Sequence, residues 1–137
     1  NLVTKYPTAD YICIDAPEAR LAVADKYSDI EALISEKLSR EIDCPNFAVT
    51  HGDSGCITYK KGERMNNIPA FTKTVVDTVG AGDAFFSITS PIVASGAPLE
   101  IVGFIGNAAG ALKVGIIGHR QSIEKAPLIK YITALLK

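Results

Sequence analysis

The 137-residue chain is long enough for one domain with a hydrophobic core, and its composition, 47% hydrophobic and 21% charged, is ordinary for a globular protein. The formal net charge of −1 gives no electrostatic basis for binding nucleic acid or an anionic membrane, and no apolar run reaches the ~20 residues of a membrane-spanning helix. The three cysteines form no CxxC pair and do not cluster with the two histidines as zinc ligands would, so we expect reduced thiols in a cytoplasmic protein.

The first third of the chain predicts one strand followed by two helices. The apolar run at 10–15 predicts a buried strand, and Pro17 suits the first turn of the helix after it. Apolar residues spaced by three and four extend the helical pattern to Ile42. The polar KYSD segment divides this pattern, and Ser28 or Asp29 is predicted to cap the second helix.

The middle of the chain predicts a hairpin. Residues 46–50 form the next predicted strand, a turn follows, and residues 56–61 alternate as a strand does. The glycine turn at 61–64 brings the chain back, and 65–78 are expected to continue extended. An antiparallel part is therefore expected beside the strand–helix alternation.

The last third predicts three helices. Residues 84–95 are apolar, and Pro91 is expected to kink this helix or to end its first segment. Small residues along the second helix, 96–115, would let it pack close to a neighbour, and 122–137 have the pattern of an amphipathic helix. Together with the strands, this order predicts an α/β fold with a sheet covered by helices.

The segment 75–87 has the features of an anion site. Gly80 and Gly82 permit backbone turns that a side chain would forbid, and a helix is predicted to begin near Gly82 or Asp83. The first N–H groups of a helix have no internal partner and carry the positive end of its dipole, so a phosphate can approach them. Asp83 has two interpretations: the N-cap of this helix, or the base that takes a proton from a hydroxyl attacking a phosphate.

Two familiar phosphate-binding loops match this segment poorly. A P-loop needs Gly-Lys-Ser/Thr, which is absent. The dinucleotide fingerprint needs a third glycine where Phe85 stands, and its distant acid would be Glu100, which lies in a predicted helix. A dinucleotide-dependent oxidoreductase is therefore disfavoured.

The segment DTVGAGD, Asp77 to Asp83, resembles the signature of the ribokinase-like (pfkB) carbohydrate kinases. Val49 to Cys56 resembles the family's Thr-x-Gly-x-x-Gly nucleotide segment, and Gly106 to Ser122 resembles the helix and loop that flank adenine. The resemblance runs from about Asp10 to the C-terminus. It implies a ribokinase-like sheet flanked by helices, of which this chain is the C-terminal portion.

The resemblance also implies roles for single residues. Asp83 would deprotonate the sugar hydroxyl, and the backbone of Gly80, Ala81 and Gly82 would form the anion hole for the transferred phosphoryl group. The residues implied in ATP binding are Thr50, Gly52 and Gly55, against the phosphates and ribose, and Asn107, near the adenine.

Two cation sites follow from the resemblance. The family's Asn-x-x-Glu motif, tied to Mg²⁺ and phosphate, corresponds to DAPE, where Glu18 matches and Asp15 replaces the asparagine; Asp15 could still bind Mg²⁺ through water. The alternative for Glu18 is a first-turn acid that the helix dipole favours. Some members also bind a monovalent cation such as K⁺, and the residues that match that site by their spacing are Asp77, Val79, Gly118 and Ser122.

The family's sugar-binding residues and lid strands come mainly from an N-terminal half that has no counterpart here. We therefore expect 1–137 to be a single ATP-binding and catalytic domain, part of a kinase that transfers the γ-phosphoryl group of ATP to a sugar hydroxyl. Alone it should turn over little substrate and self-associate through an apolar strand edge. Two alternatives stay open: a non-catalytic nucleotide-binding or regulatory module, and a nucleoside kinase of the adenosine type.

Overall fold

The computed structural model describes residues 2–72, 74–118 and 121–137. Within them lies a four-stranded sheet in chain order, whose strands are β1 (Tyr11–Asp15), β2 (Asn46–Thr50), β3 (Cys56–Lys60) and β4 (Asn66–Ile68). The first two strands are parallel, and the remaining pairs, β2–β3 and β3–β4, are antiparallel. The α/β fold and the hairpin predicted from the sequence are both confirmed.

Two helices follow β1. Helix α1 is Ala16–Ala22, and α2 covers residues 30–41, with α-helical ends (Ile30–Ala32 and Ser39–Glu41) and a π-helical middle (Leu33–Leu38). Of the two predicted caps for α2, Asp29 is the one that forms, because its carboxylate accepts from the N–H groups of Glu31 and Ala32.

Three helices follow the sheet: α3 (Ala81–Ala94), α4 (Leu99–Lys113) and α5 (Lys125–Leu135). Helix α3 begins at Ala81, one residue before Gly82 and two before Asp83, the predicted starts, because Gly80 adopts a left-handed φ of 79° and serves as the N-cap. The helix also continues past Pro91, so the expectation that Pro91 would end a segment is wrong.

Helices cover both faces of the sheet. On one face, α1 and α2 pack on the sheet and form a hydrophobic core. The largest fully buried residues of this core are Phe47, Leu33, Ile34, Leu38 and Ile42. On the other face, a second cluster joins the sheet to α3 and contains Ala48, Cys56, Ile68 and Phe85. A third cluster packs α5 onto α4 through Leu128. No helix among the described residues has the length and hydrophobicity to cross a membrane.

Glycines in α4 allow its close packing, as the sequence predicted. A β-carbon at Gly103 would lie 2.6 Å from Ile68 Cδ1, and one at Gly106 would lie 2.4 Å from Phe85 Cε2. The helix therefore approaches the sheet and α3 more closely than any side chain would permit. This contact fixes α4 beside the N-terminal end of α3.

Candidate active site

The candidate site lies where the parallel strands β1 and β2 end. Their last residues, Asp15 and Thr50, are paired in register, so the segments that follow both strands leave the sheet at the same edge. In open α/β sheets, ligands bind outside the carboxyl ends of such strands. The N-terminal end of α3 reaches the same edge, since Thr50 and Gly82 line one concavity.

That concavity, which we call the α3 cavity, has a volume of about 180 Å³. Its walls combine four segments: the turn after β2, the chain between β4 and α3, the first turn of α3, and α4. Six of the predicted nucleotide and anion-hole residues line it: Thr50, Gly52, Gly55, Ala81, Gly82 and Asn107. The fold therefore brings together residues that the sequence predicted separately.

The turn after β2 is held by its own backbone. Residues Gly52–Ser54 form a short 3₁₀ turn, and His51 N donates to the Gly55 carbonyl at 2.8 Å. Gly55 has a φ of +96°, and a β-carbon there would lie 2.1 Å from the Ile68 carbonyl oxygen. Only glycine can therefore occupy this position, and the turn is a rigid wall of the cavity.

Asn107 has a structural task that sequence reasoning missed. Its side chain is 8% exposed, and its amide Nδ2 donates to the carbonyls of Ile68 and Pro69, both at 2.9 Å. The amide thus ties the chain after β4 to α4 and shapes the cavity wall. A buried asparagine in an otherwise apolar helix is the sequence signal for such a bond.

The first turn of α3 presents backbone N–H groups. The N–H of Ala81 donates to the Thr78 carbonyl at 3.2 Å, whereas the N–H groups of Gly82 and Asp83 make no backbone hydrogen bond among the described residues. Of the three predicted anion-hole residues, Ala81 therefore uses its N–H within the protein. The positive end of the α3 dipole points to the same place and favours an anion there.

Asp83 is exposed and is the third residue of α3, so its interpretation as the N-cap is wrong. It lies on the wall of a second concavity of about 440 Å³, which we call the Asp83 cleft. Thr50 and Gly82 line both the α3 cavity and this cleft, so the two adjoin. A group bound in the cavity can therefore extend towards the Asp83 carboxylate.

Asp15 and Glu18 line the Asp83 cleft and form a reciprocal capping box at α1. Asp15 Oδ1 accepts from Glu18 N at 2.7 Å, and Glu18 Oε2 accepts from Asp15 N at 3.1 Å. One carboxylate oxygen of each is thus used by the backbone, and the other can face a ligand. Among the described residues no three acidic, histidine or cysteine side chains gather as a metal cluster. The pair fits a Mg²⁺ ion held largely through water.

Three of the four residues matched to a monovalent cation are drawn together by one carboxylate. Asp77 Oδ1 accepts from Val79 N at 2.9 Å, and its Oδ2 accepts from Gly118 N at 2.7 Å. Ser122 instead lines a third concavity of about 330 Å³, the Lys113 cleft, together with Gly80, Asp83 and Lys113. Lys113 is 5% exposed and was missed by sequence reasoning, which treated α4 as apolar.

The thiols nearest this edge are not nucleophiles at neutral pH. Burial raises the pKa of the Cys13 thiol, which lines the Asp83 cleft, to about 12. Burial likewise raises the pKa of the Cys56 thiol to about 12, and its Sγ faces the Gly103 carbonyl at 3.8 Å.

Comparisons of sequence and of structure with known proteins lead to the same family of kinases. A sequence profile described as pfkB family carbohydrate kinase matches residues 2–126. Over 82 residues, 60% of this chain and 17% of that protein, the chain is 30% identical to the bifunctional protein HldE of Haemophilus ducreyi. Ribokinase from Thermotoga maritima superposes with a TM-score of 0.78 at 26% identity, covering 90% of this chain and 42% of the other.

Phosphofructokinase-2 from Escherichia coli, solved in complex with potassium, shares the fold. It superposes with a TM-score of 0.80 at 18% identity, covering 95% of this chain and 42% of that protein. The chain therefore spans less than half the length of the relatives it matches.

Proposed function

This chain belongs to the pfkB family of carbohydrate kinases, and from that premise we propose that it forms the ATP-binding and proton-accepting part of a kinase that phosphorylates a sugar hydroxyl. The observation that carries the proposal is the junction of two concavities. The α3 cavity collects the predicted nucleotide residues, and it shares Thr50 and Gly82 with the Asp83 cleft.

The chemistry assigns a task to each side of this junction. ATP in the α3 cavity would direct its phosphates to the N–H groups of Gly82 and Asp83, where the α3 dipole stabilises negative charge. The Asp83 carboxylate would take the proton of the attacking sugar hydroxyl as its oxygen bonds the γ-phosphorus and the bond to the β-phosphate oxygen breaks. Positioning and electrostatics supply most of the catalysis in such reactions.

Magnesium has a place in this scheme. Asp15 and Glu18 would hold the ion at the Asp83 cleft, mostly through water, because one oxygen of each is occupied by the α1 capping box. When bound, the ion neutralises charge on the transferred phosphoryl group.

The domain proposal is that 1–137 act as one nucleotide-side domain and that residues outside it complete the acceptor pocket. Support comes from β1, which is an edge strand of the sheet among the described residues and offers its outer edge for pairing. The edge can pair with a complementary sugar-binding half or with a second copy of the chain. Without the complementary half, the chain would bind nucleotide but turn over little sugar.

The test is Asp83→Asn in a polypeptide that joins this chain to a sugar-binding half of the family. ADP release over a panel of sugars, with adenosine included, identifies the acceptor. We expect the substitution to lower kcat by about 10²–10⁴-fold while ATP affinity changes little, because a general base acts only in the chemical step.

Asp43→Asn is the matched control, since Asp43 is exposed and its hydrogen bonds to other described residues, Pro7 and Ala9, are made by its backbone. It should leave kcat unchanged. Equal turnover by the Asp83→Asn and parent proteins would refute the assignment of the base.

A second candidate function is a nucleotide-binding module without kinase activity. The observation that favours it is Asp15, which stands where the family pattern has asparagine. ATP binding without ADP release for any acceptor, in the joined polypeptide, would select this candidate.

A further inference from the structure

Lys113, the last residue of α4, is buried and donates a hydrogen bond to a backbone carbonyl. The residue is 5% exposed, and its Nζ donates to the backbone carbonyl of Gly118. A buried ammonium group is costly unless it is paired and hydrogen-bonded. We therefore asked what function of a positive charge at this position could offset the free-energy cost of burying it.

The Gly118 backbone connects Lys113 to the segment that leads into α3. Gly118 N donates to Asp77 Oδ2 at 2.7 Å, and Asp77 Oδ1 accepts from Val79 N at 2.9 Å. The backbone N–H groups of residues 76 and 77 also bond the Val114 carbonyl, at 2.8 and 3.1 Å. The loop after α4 and the loop before α3 are thus one bonded unit.

These bonds do not fit a monovalent cation at the same place. Potassium needs oxygen ligands, and at the matched residues these would be the Asp77 carboxylate, the Ser122 hydroxyl and backbone carbonyls such as that of Gly118. Here the Gly118 carbonyl accepts from an ammonium, and each Asp77 oxygen accepts from a backbone N–H. A potassium ion on the same carbonyl would lie within contact distance of a like charge.

We propose that the Lys113 ammonium takes the place of a monovalent cation, so that the protein needs none. An ammonium group and K⁺ carry the same charge, and both bind carbonyl oxygens. Lys113 lines the Lys113 cleft together with Gly80 and Asp83, so the residue borders the same concavity as the loop that would receive phosphate. The proposal rests on the proposed function for its catalytic meaning, and Lys113 is a positioning residue rather than a catalytic one.

Cation binding by the unaltered protein is the first test. Thallium(I) is a spectroscopic substitute for potassium, and its ²⁰⁵Tl resonance shifts and broadens when a protein binds it. We expect no saturable binding, and the same unfolding temperature in potassium and tetramethylammonium chloride at ionic strength of about 0.1 M. Saturable thallium binding, or a potassium-dependent rise in unfolding temperature, would overturn the proposal.

Two substitutions of Lys113 separate the effect of its charge from the effect of the space it fills, and a third substitution is a control. Lys113→Ala removes the charge and leaves room for an ion, Lys113→Met removes the charge but fills the space, and Lys130→Ala is the control on an exposed face of α5. In tetramethylammonium chloride we expect the first two to bind ATP about tenfold more weakly, a loss typical of one charged contact. Potassium should restore most of the affinity of Lys113→Ala and none of that of Lys113→Met.

Restoration of both variants to the same degree, or of neither, would contradict the proposal, because a merely structural lysine predicts no potassium response. A lack of ATP binding by the unaltered protein would refute the proposed function instead. In that case the thallium titration and the unfolding temperatures still decide whether Lys113 replaces the cation. If the Lys113→Ala protein fails to fold, the thallium titration and the unfolding temperatures of the unaltered protein likewise test the proposal.

Discussion

Gly55, in the turn after β2, and Gly82, in the first turn of α3, line the same cavity but differ in what surrounds them. A β-carbon at Gly55 would lie 2.1 Å from the Ile68 carbonyl oxygen and 2.6 Å from Ala70 N. A β-carbon at Gly82 would meet no described atom within 4 Å.

The difference separates two reasons for a glycine. At Gly55 the protein's own backbone excludes any side chain, and the left-handed φ of +96° excludes it again. At Gly82 the backbone is helical and the space is open, and in a helix alanine is more favourable than glycine. The absence of a side chain at Gly82 therefore makes sense if something other than the protein occupies that space.

Gly52 is intermediate and completes a graded series. It has a left-handed φ of +52°, but a β-carbon there would meet nothing within 4 Å. Clash and backbone strain act at Gly55, backbone strain alone at Gly52, and neither at Gly82. Alanine at the three positions should therefore separate the cost to folding from the cost to a ligand.

The largest effect is expected from Gly55→Ala. The new methyl group would collide with the chain after β4, and the left-handed backbone would be strained as well, so the free energy of unfolding should fall by about 3 kcal/mol or more. Urea denaturation followed by circular dichroism measures the loss. A change of less than about 1 kcal/mol would mean that the turn adapts easily and is not a rigid wall.

Gly52→Ala should have a smaller effect on folding. The left-handed conformation costs a residue with a β-carbon roughly 1–2 kcal/mol, and no clash is added. Gly62→Ala, in the hairpin turn, is the matched control, because Gly62 has a φ of +85° and open space but lies away from the cavity. The two should lose similar unfolding free energy, and Gly52→Ala alone should weaken ATP binding in a titration. Equal ATP affinity for both would remove Gly52 from the site.

Sequence patterns were sufficient for most of the elements. Alternation and apolar spacing are local signals, and they predicted β1, β2, β3 and the division between α1 and α2. The glycine segments were predicted from residue types whose conformational freedom is itself local. Their meeting in one cavity followed from the resemblance to a family, and not from any local pattern.

Sequence reasoning missed features that a tertiary contact decides. Within the stretch 65–78, predicted to be extended, the described residues pair as a strand at Asn66–Ile68, where the Asn107 amide binds the Ile68 and Pro69 carbonyls and Pro69 has no N–H to continue the pairing. The burial of Lys113 likewise depends on the Gly118 carbonyl, which is brought to it by the turn after α4. Neither contact leaves a periodic signal in the sequence.

The smallest effect on folding, and the one with opposite sign, is expected from Gly82→Ala. Alanine in the helix should raise the free energy of unfolding by about 0.5–1 kcal/mol, because it restricts the unfolded chain and clashes with nothing. Its methyl group would nonetheless occupy open space where the α3 cavity and the Asp83 cleft adjoin, next to the N–H groups proposed to bind phosphate. ATP affinity should therefore fall by about tenfold or more, since the phosphates lose close approach to the helix end.

Greater stability together with weaker ATP binding is the result expected if the space at Gly82 is kept open for the ligand. Calorimetric titration with ATP and a urea unfolding curve on the same Gly82→Ala preparation measure both quantities. Greater stability with unchanged ATP affinity would show that Gly82 is not required for ATP binding. The difference between Gly55 and Gly82 would then have no functional meaning. Lower stability would show instead that the first turn of α3 needs glycine for its own backbone, as the turn at Gly55 does.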